Sequence, residues 1–473
     1  MKNRRKRRGV YLTVTSITLF VIVLFYNKSC NGIKTNETNR PNILLMVADD
    51  LGYGDLSSYG QKDYLTPTID RLAEEGVLFT DFYVPVPYCA PSRATLLTGR
   101  FPLRHGMIQN PAPDAGINDI GIDDNELLLG EVLQGYGYST SCIGKWHLGH
   151  KESYFPVNHG FDEYYGILYS NDMRPVQIIA NRDTIEYPVD QNYLTKNYTE
   201  RALDFIKRKK DKPFFLYLAH AMPHKPLAAS PEYYTPDTPG DLYADAIREL
   251  DWSVDTLINS LKKHGILDNT IVIFMSDNGP WYGGSTGGLK GMKATSWEGG
   301  LRVPFIVRYP EALNRGKIIE TPCWSADIFP TLLSLIDVPL PDTVKLDGID
   351  ITDIMKGNNY SHPPIYGLHR DEIKYVRKGK WKLFISEPRP HRARGANWVD
   401  PRRPDGKTII APVEQPDPTQ YPGIMPQEET SEIMLFNLDK DPEESNNVAI
   451  QQPEVVESLL EQYQQFLTSL KEK

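Results

Sequence analysis

Ile43–Asp50 reads ILLMVADD. Six apolar residues run without interruption and stop at two aspartates. The run is too short for a buried helix. It shows no alternation, so it predicts a strand covered on both faces, as in a parallel sheet. Ligands of open parallel sheets bind beyond the carboxyl ends of the strands. Asp49 and Asp50 therefore stand where such a sheet presents its chemistry. The pattern recurs. Phe214–Ala219 (FFLYLA) is followed by HAMPH, with His220 and His224. Ile271–Met275 (IVIFM) is followed by Ser276, Asp277 and Asn278. Val303–Val307 is a further apolar run.

Helical patterns lie between these runs. Thr66–Gly76 (TPTIDRLAEEG) carries start and stop signals: Thr66 as cap, Pro67 in the first turn, Ile69, Leu72 and Ala73 on one face, and Gly76 at the end. Leu242–His264 holds apolar residues at helical spacing. Strands alternating with helices imply an α/β fold, a large mostly parallel sheet sandwiched by helices over residues 41–360. The character changes over 361–473. Glu372–Val376, Lys382–Ile385 and Ile433–Asn437 predict a small antiparallel sheet, and Val455–Leu470 a final amphipathic helix. This is a smaller α+β subdomain. A Pro-rich insertion at 386–432, with Arg389, His391, Arg392, Arg394, Trp398, Arg402 and Arg403, interrupts it. Such a stretch reads either as an anionic-sugar contact or as a solvated loop.

The chain has 473 residues and a formal charge of −9. Six of its cations lie within residues 1–8, and the rest holds 46 basic against 61 acidic residues, or −15. An acidic body argues against general nucleic-acid binding, and any anion site must be locally positive. The basic start precedes Gly9–Tyr26, an uncharged apolar stretch. Residues 1–30 read as a signal peptide or signal anchor, 31–40 as a polar linker, and the rest as exported to the periplasm, cell surface or medium. A lipidated Cys30 fits less well beside Asn27 and Lys28. Four cysteines without a CxxC form neither a disulfide framework nor a thiolate zinc site. Cys142 and Cys323 are expected in the core, singly or as one pair.

Asp49, Asp50, Asp277 and Asn278 offer only oxygen donors, which favours a hard cation, Ca²⁺ or Mg²⁺. Pro87–Arg100 (PYCAPSRATLLTGR) places Cys89, Pro91 and Arg93 in a C-x-P-x-R pattern. The stretch Cys89–Arg100 resembles the signature of the type I sulfatases, in the alkaline phosphatase superfamily. Further motifs follow in order. Pro41–Asp55 resembles the family's first strand and metal aspartates. Gly144–Gly149 (GKWHLG) is similar to its second signature. Pro223–His224, Ser276–Gly279 (SDNG) and Lys293–Gly300 (KATSWEGG) resemble its histidine, second metal and lysine motifs. Leu435–Glu444 (LFNLDKDPEE) is similar to its C-terminal tail motif. Ala294 departs from a frequent glycine, and Lys290 adds a second lysine near Lys293.

The resemblance implies that a maturase oxidises Cys89 to Cα-formylglycine, whose hydrate is the nucleophile. It implies one divalent cation, Ca²⁺ before Mg²⁺, held by Asp49, Asp50, Asp277 and Asn278 with residue 89. Lys145 and Lys293 would neutralise sulfate oxygens. Arg93 would orient the nucleophile. His224 would protonate the leaving oxygen, and His147 would take a proton from the second hydroxyl as sulfate departs. His220 reads as structural support. The alternatives are a phosphate or phosphonate ester hydrolase of the same superfamily, and a non-catalytic binder of sulfated glycans. Export suggests an external sulfated polysaccharide or its oligosaccharides as substrate. An algal polymer such as ulvan or carrageenan is favoured over animal glycosaminoglycans. Substrate contacts are expected from Arg104, His105, Arg174, Trp281, His369 and Arg370, in loops beside the motifs.

Overall fold

A computed structural model describes residues 40–173, 176–233, 242–358, 360–388 and 430–471. Residues 1–39, Arg174 and the basic residues and Trp398 of the insertion lie outside them. The chain divides into two units, Met1–Arg40 and Pro41–Lys473. Among the described residues, no helix is long and apolar enough to cross a membrane.

Sixteen strands are described: β1 Asn42–Ala48, β2 Val77–Phe79, β3 Phe82–Tyr83, β4 Ser139–Lys145, β5 Glu163–Ile167, β6 Ile178–Ala180, β7 Asp183–Glu186, β8 Phe214–Ala219, β9 Thr270–Ser276, β10 Phe305–Arg308, β11 Lys317–Ile319, β12 Cys323–Trp324, β13 Ile365–His369, β14 Glu372–Lys378, β15 Trp381–Phe384 and β16 Met434–Asn437. Ten form one sheet in the order β11-β2-β10-β9-β1-β8-β4-β5-β6-β7. Its centre, β9-β1-β8-β4-β5, is wholly parallel. β1 shows why its sequence is unbroken. Ile43, Leu45 and Val47 enter one hydrophobic core, and Leu44, Met46 and Ala48 enter the other. β10 is antiparallel to β9. The link between them holds only a four-residue helix, Glu298–Leu301, and no crossover returns the chain to the opposite edge.

Two local readings of the first helix change. It spans Pro67–Glu75, with Ile69, Leu72 and Ala73 buried, but Thr66 makes no side-chain cap bond. The Thr68 and Ile69 N–H groups donate instead to Asp251, 3.0 and 2.8 Å away. This carboxylate belongs to the long helix Leu242–Lys263. A tertiary partner has thus taken over a local cap. Gly76 has φ −126, so no left-handed turn requires it. A Cβ there would lie 2.3 Å from the Val307 carbonyl oxygen. Close approach to β10 demands the glycine.

The small sheet β13-β14-β15-β16 is antiparallel throughout. The final helix, Pro453–Leu470, packs on it, with Phe466 stacked on Tyr366 at 3.8 Å. Its buried residues continue one core of the large sheet. Cys142 and Cys323 are buried and unpaired.

Candidate active site

Parallel pairing brings the carboxyl ends of β1, β4, β5, β8 and β9 to one edge. β1 delivers Asp49 and Asp50. β4 ends at Lys145, two residues before His147. β8 leads to His224 and β9 to Asp277 and Asn278. Cys89 is the first residue of the ten-residue helix Cys89–Thr98, and Arg93 lies one turn on.

The groups interlock. Lys145 Nζ donates to Asp49 Oδ2, and to Ser170 Oγ at 3.1 Å. Asp49 Oδ1 is 3.4 Å from Cys89 Sγ. Lys293 Nζ is 2.6 Å from Asp50 Oδ1 and 3.4 Å from Cys89 Sγ. Arg93 holds Asp277 Oδ2 through Nε at 2.9 Å and Nη2 at 2.7 Å. Its Nη1 donates to the Lys145 carbonyl at 2.9 Å. The Asp50 N–H donates to Asp277 Oδ1 at 3.1 Å, and Asn278 Nδ2 to Asp50 Oδ1 at 2.7 Å. All of these side chains are buried except that of Lys293, which is 12% exposed.

Three residues other than glycine adopt left-handed backbone here: Asp50 (φ 63), His147 (φ 59) and Ala294 (φ 68). Such strain is held only where surrounding contacts over-determine it. The Ala294 N–H donates to the Pro87 carbonyl at 2.8 Å, which ties the lysine loop to the loop before Cys89. Its φ also accounts for the glycine often found there.

Both active-site histidines have defined tautomers. His147 Nε2 lies 3.2 Å from the Pro111 carbonyl. A carbonyl only accepts, so Nε2 carries the proton. Nδ1 is buried without a partner. Burial first, then the charges of Lys145 and Arg93, push this imidazole well below its usual pKa. His224 Nδ1 donates to the Lys225 carbonyl at 2.6 Å, which leaves Nε2 facing Asp50 Oδ2 at 3.6 Å. Burial and Asp49 push the Cys89 thiol upward, against Lys145 and Lys293.

Donor atoms of Asp49, Asp50, Cys89 and His224 lie within 4.8 Å of one another. Asn278 Oδ1, beside Asp50, is buried with no hydrogen-bond partner. A buried carbonyl oxygen left unpaired is costly, and a cation would satisfy it. The Asp49 and Asp50 carboxylates and the Asn278 oxygen are donors that suit a hard cation such as Ca²⁺ or Mg²⁺.

The expected substrate contacts divide. His369 and Arg370, at the β13–β14 turn, adjoin the residue before Cys89. The Arg370 N–H donates to Tyr88 Oη at 2.5 Å, and the His369 and Tyr88 rings meet edge-on at 5.7 Å. Trp281 is half-buried in the loop after β9. Arg104 is committed elsewhere. Its Nε pairs with Asp347 at 2.8 Å, and Nη1 donates to the Ser469 carbonyl at 3.1 Å. His105 is buried between Thr95 Oγ1 and the Met107 N–H. Arg174 lies outside the described residues. His220 is buried, 3.4 Å from Ser253 Oγ. Sequence reading missed Ser170 and Asn171. Ser170 Oγ is 3.3 Å from His224 Nε2, and Asn171 Oδ1 is 3.0 Å from His224 Nδ1. They follow β5, whose short EYYGI run was not read as a strand. With β5 in place, the strand-end rule would have flagged both.

Comparison with known proteins agrees with this geometry. The family model described as Sulfatase matches residues 41–338. N-acetylgalactosamine-6-sulfatase of Canis lupus familiaris is 37% identical over 378 residues, covering 73% of this chain and 72% of its own. Arylsulfatase A of Homo sapiens is 35% identical over 462 residues, covering 89% and 86%. Among solved structures, Ps i-CgsB in complex with k-i-k-neocarrahexaose superposes with a TM-score of 0.74 at 29% identity, covering 90% of this chain and 92% of the other. The PsFucS1 sulfatase from Pseudoalteromonas sp. gives 0.76 at 26% identity, covering 93% and 92%. The chain is a sulfuric ester hydrolase and belongs to the sulfatase family.

Proposed function

We propose that this enzyme removes sulfate from a sulfated polysaccharide or its oligosaccharides, after a maturase has converted Cys89 to formylglycine. The observation that carries the reading is the convergence of Lys145 and Lys293 with Asp49 and Asp50 on the helix-terminal Cys89. With a bound cation neutralising the Asp49 and Asp50 carboxylates, the two ammonium groups at this buried nucleophile position would make a local anion site in an acidic protein. Asp49, Asp50, Asp277 and Asn278 would hold the divalent cation, Ca²⁺ in preference to Mg²⁺. Such an ion supplies Lewis acidity and lowers the pKa of a bound hydroxyl.

The chain's own groups divide the remaining work. Lys293 and Lys145 face the sulfonate oxygens and offset the charge gathering on them. Arg93 fixes Asp277 and the Lys145 backbone, and so sets the spacing of the two sides of the site. His224, as an imidazolium whose Nδ1–H stays on the Lys225 carbonyl, gives its Nε2 proton to the ester oxygen as the S–O bond breaks, so the sugar leaves as a neutral alcohol. His147 Nδ1, the unprotonated nitrogen, accepts a proton in the step that frees sulfate. Water is consumed overall. His369, Arg370 and Trp281 are the remaining candidates for the sugar.

An algal polymer such as carrageenan or ulvan is the favoured source. The similarity to Ps i-CgsB, solved with a neocarrahexaose, supports it. A glycosaminoglycan is the second reading, supported by the identity to N-acetylgalactosamine-6-sulfatase. Export through residues 1–30, with Gly9–Tyr26 as leader or anchor, places the enzyme where such polymers occur.

Peptide mass spectrometry over residue 89, on protein from a maturation-competent host, is expected to show an aldehyde-reactive formylglycine. The same preparation should release sulfate from carrageenan or ulvan oligosaccharides, or from a glycosaminoglycan if the second reading holds. An unmodified thiol with no sulfate release from any of them would refute the proposal. A separate readout concerns the cation. Calcium at a hundred times its dissociation constant should stabilise the protein by about 2.7 kcal/mol in thermal unfolding. Asp50→Asn should abolish most of that gain. An equal calcium shift in both proteins would place the ion elsewhere.

A further inference from the structure

The tail motif Leu435–Glu444 lies outside the reaction described above, yet its last residue is among the most buried carboxylates of the chain, 1% exposed. Glu444 Oε2 accepts the Glu298 N–H at 2.7 Å, and Oε1 pairs with Lys382 Nζ at 2.8 Å. Its backbone carbonyl accepts from Lys290 Nζ at 3.2 Å. Lys382, on β15 and fully buried, also holds Glu298 Oε1 at 3.0 Å and the Ser296 carbonyl at 3.1 Å.

Lys290, Ser296 and Glu298 belong to the segment that carries Lys293. That segment closes on itself through the Gly299 N–H to the Lys290 carbonyl, at 2.7 Å. Two residues of the small subdomain therefore grip the base of the loop at three points. Its tip places Lys293 against Asp50 and Cys89. Glu298 cannot serve as the anchor alone, because Tyr83 Oη and Lys382 already claim its side chain.

We infer that Glu444 is a positioning residue for Lys293, acting through the Glu298 backbone and Lys382, and that this accounts for the tail motif. The inference rests on the sulfatase reading of Lys293. A glutamine at 444 offers one oxygen where two donors need one each, so either the Glu298 N–H or Lys382 loses its acceptor. Displacement of a catalytic group by about 1 Å costs on the order of a hundredfold in rate.

The test uses the full, matured chain with 4-nitrophenyl sulfate as probe. Glu444→Gln is expected to lower kcat by about ten- to a hundredfold. In a Lys293→Ala background the same substitution should cost almost nothing further, because the group it positions is gone. A role in folding alone would lower the melting temperature and leave kcat intact in both backgrounds. Lys293 acylation by acetic anhydride, read by mass spectrometry against the exposed Lys262, should run several-fold faster in Glu444→Gln. This readout needs no turnover. If the parent enzyme releases no sulfate from this probe or from any of the oligosaccharides above, the functional reading fails and the acylation rates still decide the positioning. Unchanged acylation, or unchanged kcat in an active enzyme, overturns the inference. Should Glu444→Gln not fold, Glu444→Asp, one methylene short with its charge kept, is read in the same way.

Discussion

Arg93→Met is expected to destabilise the protein by about 3–5 kcal/mol in urea unfolding with a chelator present to strip any cation from Asp277, more than any exposed ion pair contributes. Arg93 is completely buried, and so is the Asp277 carboxylate it holds at 2.7 and 2.9 Å. Methionine matches the stem of arginine but leaves a charged carboxylate in a site closed to water. Burial of an unpaired charge is the largest single cost a substitution can impose here. The design of the test follows from that cause. Asp277→Asn in the same chain removes the stranded charge and keeps an acceptor for the Asp50 N–H. The second substitution should recover about 1–3 kcal/mol, as coupled neighbours do. A loss below about 1 kcal/mol for the single variant would mean that Asp277 has another partner, and the pairing would then be incidental to stability. Activity should vanish in both variants, since the Lys145 carbonyl also loses its donor.

The sequence revealed most where burial leaves no choice. β1, β8 and β9 are covered on both faces, so their runs are unbroken and their ends can be read to within one residue. The same ends named Asp49, Asp50, His224, Asp277 and Asn278, because the parallel register carries chemistry to one edge. β5 and β13 were illegible. Each is five residues long and interrupted by glycine, EYYGI and IYGLH, and their edges are completed by tertiary pairing. Ser170 and Asn171 were lost with β5. Arg104 and His105 have their partners elsewhere for a different reason. Closeness in sequence to Cys89 is not closeness in space, because ten helical residues carry the chain roughly 15 Å away. There Arg104 serves the final helix through Ser469. His369 and Arg370, almost three hundred residues from Cys89 in the chain, meet Tyr88 directly. The Glu444 network was equally hidden, since its partners come from β15, the lysine loop and the tail. No local pattern joins them.

His147→Asn is expected to separate catalysis from stability. The backbone of His147 is left-handed, at φ 59, where asparagine is among the best-tolerated residues. Its N–H donates to the Leu168 carbonyl at 3.1 Å, a bond asparagine keeps. The fold should therefore hold, with a melting temperature near that of the parent. What disappears is the Nε2–H bond to the Pro111 carbonyl, worth about 1 kcal/mol, and the one unprotonated ring nitrogen of this residue, Nδ1, buried without a partner. Loss of a positioned base typically costs 10²–10⁴ in rate, so kcat should fall by about that factor with little change in KM. The direction of the pKa adds a second expectation. Because burial, Lys145 and Arg93 hold this imidazole well below its ordinary value, it is neutral at neutral pH. Protonation of His147 then does not shape the acid side of the kcat profile. The profile of the variant should keep its form and drop in height. A kcat within about threefold of the parent would remove His147 from proton transfer. A lost acid limb would show that the nitrogen titrates in the working range, contrary to the pull of two buried cations on it.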